Sequence, residues 1–190
     1  MEKTYKILKV VLLVLIFAAL LLGATRLYDT LGSQVQMDTL GTQAAEEETT
    51  SQAAPDFTVY DQAGNAYTLA DFRGKPVILN FWATWCGYCQ MEMPDFEEKY
   101  QEYGDDVQFV MLNVTDGSQD TVESASAYIA EQGYSFPVYY DTELNATRAY
   151  NANGLPVTFF IDAQGNFVAW QQGMLTAETL QVGIDMLLSK

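Results

Sequence analysis

Hydrophobic and polar positions along the chain fall into three regimes. The first runs from Val10 to Leu22, uninterruptedly apolar behind Lys3, Lys6 and Lys9, and extends to Ile7 through Ala24 if Lys9 snorkels toward the interface. An apolar stretch behind basic residues predicts membrane insertion with the amino end in the cytoplasm and the remainder outside it. Leu22-Gly23-Ala24 is a poor cleavage site and no cysteine follows for lipidation. An uncleaved, single-pass anchor over residues 1–25 is therefore expected. The second regime, residues 26–54, is rich in Thr, Gln, Ala, Gly, Ser and Glu without a hydrophobic period, and it predicts a flexible tether.

The third regime, residues 55–190, alternates between strand-like and helix-like patterns. Residues 57–60 and 67–69 predict a hairpin, with a turn from Asp61 to Asn65. Val77 to Ala83 is an apolar run after Pro76, as expected for a central strand covered on both faces. It leads to a helix from about Cys86 to Tyr103, kinked at Pro94 and stopped by Gly104. Further strands are expected over 107–114, 136–140, 157–161 and 166–170. Helices are expected near 142–150 and over 177–188, with another that runs to Gln132 behind a capping box of Asp120 and Glu123. The order predicts an α/β domain, a mixed central sheet with helices on both faces and the hairpin as an N-terminal extension.

Composition narrows the chemistry. The chain has no histidine, which removes the commonest general base and transition-metal ligand. The net charge is -16, and beyond Pro55 the only basic residues are Arg73, Lys75, Lys99, Arg148 and Lys190. Such a surface disfavours nucleic acid as a partner and otherwise reads as a solubility device.

The two cysteines, Cys86 and Cys89, stand three apart where the buried strand gives way to the helix. At a helix start, free backbone N–H groups and the positive end of the dipole favour a thiolate on Cys86, while Cys89 lies one turn further in. Such a pair suits thiol-disulfide exchange: Cys86 attacks a substrate disulfide, and Cys89 resolves the mixed disulfide. Zinc would need further ligands that the chain lacks. Copper carriage by two thiolates stays open as an alternative.

Phe81-Trp82-Ala83-Thr84-Trp85-Cys86-Gly87-Tyr88-Cys89, followed by Met93-Pro94 and by Gly154-Leu155-Pro156-Val157-Thr158-Phe159-Phe160-Ile161-Asp162, resembles the thioredoxin superfamily, specifically its membrane-anchored TlpA/ResA-like branch. The resemblance covers residues 55–190. It implies a thioredoxin fold, a redox-active Cys86–Cys89 disulfide, no cofactor, and a cis Leu155-Pro156 bond beside which an extended substrate segment pairs. Trp85 and Tyr88 are expected to shape the docking surface. Where many relatives carry a buried aspartate on the strand before the cysteines, this chain has Asn80. Glu92, three residues after Cys89, resembles the carboxylate that ResA-like proteins hold beneath the active site, and it is the expected proton acceptor for Cys89. The implied activity is reduction of disulfides in exported clients, such as apocytochrome c or a methionine sulfoxide reductase, with electrons from a CcdA/DsbD-like membrane donor. Disulfide formation is the alternative direction.

Overall fold

Six consecutive buried residues form the strand around which the remainder is arranged. The computed structural model describes residues 52–189. The expected anchor and all of the expected tether before Gln52 lie outside the described residues. Among the described residues, no helix is long and apolar enough to cross a membrane.

The strands are β1 (Thr58–Tyr60), β2 (Ala66–Thr68), β3 (Val77–Trp82), β4 (Gln108–Asn113), β5 (Val138–Tyr140), β6 (Val157–Ile161) and β7 (Phe167–Gln172). They form one sheet in the order β2-β1-β5-β4-β3-β6-β7. The β3–β4 and β4–β5 pairs are parallel, while β3–β6, β6–β7 and both pairs of β1 are antiparallel. The helices are α1 (Gly87–Tyr103), α2 (Val122–Gln132), α3 (Asn145–Ala149) and α4 (Ala177–Leu188). This is the expected mixed α/β architecture.

Because successive side chains of a strand point to opposite faces, the apolar run of β3 feeds two cores. Ile78 and Trp82 join Phe109, Met111 and Phe160 beneath α1 and α4, with Met93, Phe96, Leu180 and Ile184. Leu79 and Phe81 join Val110, Leu112 and Phe159 on the other face, under the hairpin and α3. Aromatic rings meet edge to face in this second core, as in Phe81 with Phe159 and Tyr150 with Phe159. The continuous apolar pattern of β3 is thus that of a strand with no solvent face.

The details depart from the pattern in instructive places. Leu69 is not a strand residue but opens a short 3-10 turn, Leu69–Phe72, that buries Leu69 and Phe72. The folded part starts before Pro55, since Phe167 N–H donates to Gln52 O and Ala54 N–H to Gly165 O. Gly104 closes α1 in the right-handed conformation, with φ of −61°, rather than through a left-handed turn. The box predicted for Asp120 and Glu123 is made one residue later and by other groups: Thr121 caps α2, and Ser124 returns the bond to Thr121 N. Asp120 is engaged at the cysteine loop instead.

Candidate active site

The chain turns from β3 into α1 over Ala83 to Cys86, and local hydrogen bonds fix that turn. Cys86 N–H donates to Ala83 O at 3.2 Å, and Gln90 Nε2 donates to Thr84 O at 2.5 Å. Cys86 is the N-cap of α1, not a residue of its first turn: its φ and ψ of −84° and 103° are extended. Its sulfur takes the place that a serine or aspartate oxygen takes in other caps, accepting from Cys89 N–H at 3.2 Å. An N–H group that the helix itself cannot satisfy therefore points at the atom on which negative charge forms when the pair is reduced.

Cys86 and Cys89 are joined as a disulfide. Both residues are buried, but Cys86 keeps 6% of its surface exposed and Cys89 none, the order expected of an attacking and a resolving thiol. Around them Trp85, Tyr88 and Met91 are 51%, 66% and 63% exposed. Large apolar side chains left in water beside a reactive pair form a surface suited to a polypeptide partner. Met91 is the member of this patch that the sequence reading did not single out.

One turn beyond Cys89, Glu92 is buried inside the protein rather than displayed at the helix surface. Its Oε1 accepts from Asn80 Nδ2 at 2.8 Å and its Oε2 from Leu175 N–H at 2.8 Å. Removal from water raises the Glu92 carboxyl to about 7, against the lowering effect of these two donors and with a small further rise from Asp95. A carboxyl that titrates there can exchange a proton at neutral pH.

Asp120 is the buried residue whose role the sequence hid. Its Oδ2 accepts from Thr84 N–H at 2.7 Å and from Asn113 Nδ2 at 2.8 Å, and its Oδ1 accepts from the Thr84 hydroxyl. The carboxylate thus ties the loop just before Trp85 and Cys86 to the end of β4. The signal available was Asp120-Thr121 itself. Two cap-type residues stood side by side, only one of which could cap.

Leu155-Pro156 is a cis peptide bond. Val157 pairs with Phe81 across the antiparallel β3–β6 ladder, so the Leu155-Pro156 step lies at the end of the sheet where β3 runs out toward Cys86. Pro156 O accepts from Gly173 N–H at 2.8 Å. The backbone of Leu155 makes no hydrogen bond among the described residues. The five predicted positions Trp85, Cys86, Tyr88, Cys89 and Glu92 share the β3–α1 junction, and Leu155 and Pro156 share its end of the sheet.

A family model described as the AhpC/TSA family matches residues 50–169. Over 134 residues the chain is 35% identical to the thiol-disulfide oxidoreductase ResA of Geobacillus kaustophilus, covering 70% of this chain and 75% of that protein. A thiol:disulfide interchange protein of the thioredoxin family from Chlorobium tepidum is similar in structure, with a TM-score of 0.65 and 28% identity over 75% of this chain and 99% of that one. The exposed lipoprotein thioredoxin of Streptococcus pneumoniae gives a TM-score of 0.60 and 28% identity, over 69% of this chain and 99% of that one.

Proposed function

The chain belongs to the AhpC/TSA family and is a thiol-disulfide oxidoreductase of the ResA kind, and from that premise we propose that it is a membrane-tethered reductant of disulfides in exported proteins. The observation that carries this reading is the disulfide at the start of α1 with a buried, near-neutral carboxyl one turn below it.

In the reduced protein, the Cys86 thiolate attacks one sulfur of a client disulfide and displaces the other as a thiolate. The Cys89 thiol then gives its proton to Glu92, and the Cys89 sulfur attacks Cys86 Sγ. The Cys86–Cys89 disulfide forms, the client leaves as a thiolate, and the proton held by Glu92 passes to the solvent or the departing sulfur. Two electrons have moved from the pair to the client. A CcdA/DsbD-like membrane donor restores the dithiol. Apocytochrome c or an exported methionine sulfoxide reductase fits the role of client.

Docking uses Trp85, Tyr88 and the backbone at Leu155, unpaired among the described residues, beside which an extended client segment adds as a strand. The apolar segment over residues 1–25 and the exposed location in the name of the pneumococcal relative support placement outside the cytoplasm. The reduction potential tests the direction. A value near or below that of thioredoxin, about −270 mV, supports the reductant, whereas one near that of DsbA, about −120 mV, assigns disulfide formation instead.

A further inference from the structure

Asn80 of β3 and Thr158 of β6 are register partners in the antiparallel ladder. Both are buried on the side of the sheet that α1 covers. The Asn80 amide spends its hydrogens on two oxygens, Glu92 Oε1 at 2.8 Å and Thr158 Oγ1 at 2.9 Å. Its own oxygen, Oδ1, is buried with no hydrogen-bond partner among the described residues.

That orientation is informative because a buried amide oxygen without a donor is unfavourable. Turned over, the amide would offer its oxygen to the Thr158 hydroxyl and to a protonated Glu92. In the orientation present, one N–H faces Glu92 Oε1, an arrangement that favours the ionised form of Glu92 over the neutral acid. We propose that Asn80, whose other amide hydrogen Thr158 accepts, is a positioning residue for Glu92: its N–H holds the carboxylate in place to take the Cys89 proton, and its neutrality leaves Glu92 the single carboxyl in this buried space. The proposal rests on the reading of Glu92 as acceptor of the Cys89 proton.

The neutrality of Asn80 matters as much as its donor. An aspartate here would put a second carboxyl within hydrogen-bond distance of the first, and two such groups share one proton and titrate as a pair. The second donor to Glu92 is Leu175 N–H from the segment before α4, which is uncharged, and Cys89 lies one turn away on the same helix, titratable once the pair is reduced. The charge acting on it is Asp95 of α1, which in turn faces Glu98 and Lys99 of α1 and Glu178 of α4.

The test uses an aromatic disulfide that releases one coloured thiolate on attack by Cys86 and a second when Cys89 resolves the adduct. The pH dependence of the second phase is measured for the wild type, Asn80→Leu, Asn80→Asp, Thr158→Val and Glu92→Gln, each checked for folding by thermal melting. In Asn80→Leu the midpoint rises by about one pH unit, so the second phase at pH 6 falls roughly tenfold while the first is unchanged. Thr158→Val shifts the midpoint the same way by less, and Asn80→Asp divides the single step into two. If Asn80→Leu does not fold, Thr158→Val and Asn80→Asp carry the test. Wild-type midpoints in the folded Asn80 and Thr158 variants overturn the proposal, provided Glu92→Gln has flattened the profile. A wild-type midpoint in Glu92→Gln overturns the reading of Glu92 itself.

Discussion

Glu92→Gln in the oxidised protein is a stability experiment with a calculable outcome. The Glu92 carboxyl rises from an ordinary value of 4.5 to about 7 on folding, chiefly through burial. Because the folded-state value lies above the unfolded one, the stability associated with the neutral acid is fully present below about pH 4.5. It is lost as pH rises through 7. The span of about 2.5 pH units, at roughly 1.4 kcal/mol each, gives a loss of about 3–4 kcal/mol. That is a large share of the roughly 5–15 kcal/mol by which ordinary domains are stable.

Glutamine has nearly the same shape and cannot titrate. It also cannot accept from both Asn80 Nδ2 and Leu175 N–H with its two different ends, so the variant starts with a constant penalty of about 1–3 kcal/mol. The informative quantity is therefore the slope and not the offset. Urea unfolding of both proteins, disulfide intact, is measured at intervals from pH 4 to 8. The free-energy difference between them should move by about 3–4 kcal/mol in favour of the variant as pH rises to about 7, then level off. A difference that is constant across that range would refute the buried, near-neutral acid.

Two further outcomes are expected. Asp120→Ala removes the acceptor for Thr84 N–H, the Thr84 hydroxyl and Asn113 Nδ2, so chemical denaturation should show a loss of about 2–4 kcal/mol and stopped-flow a slower attack by Cys86; Asp120→Asn should lose less. Truncating the exposed Trp85 and Tyr88 to alanine should raise KM several-fold for a protein client and leave turnover of a small aromatic disulfide within about twofold, as expected of residues that contact the polypeptide and not the reacting sulfurs.

Much of this was legible in the chain because it depends on local order. The run from Val77 to Ala83 announced a strand covered on both faces, and the Cys-Gly-Tyr-Cys spacing beyond it announced an exchange pair. Glu92 was legible as a candidate because three residues of helix bring it under Cys89. What the order of residues does not carry is which distant group each polar side chain meets. Thr158 N-terminal to two phenylalanines looked like an ordinary β-branched strand residue, and only the β3–β6 register brings it to Asn80. Asp120 looked like a helix cap because its partners, Thr84 and Asn113, lie 36 and 7 residues away. Leu175, whose backbone N–H holds the second oxygen of Glu92, lies 83 residues on, and a main-chain donor leaves no mark in a side-chain pattern.

The central claim is a division of labour between the two cysteines, and trapping tests it most directly. Cys89→Ala and Cys86→Ala are each reduced, mixed with a client disulfide under native conditions, and analysed intact by mass spectrometry. The account predicts a persistent one-to-one mixed disulfide on Cys86 in Cys89→Ala, and no adduct in Cys86→Ala over the same interval, because Cys89 is buried. Equal labelling of both variants, or a stable adduct on Cys89 alone, would contradict it.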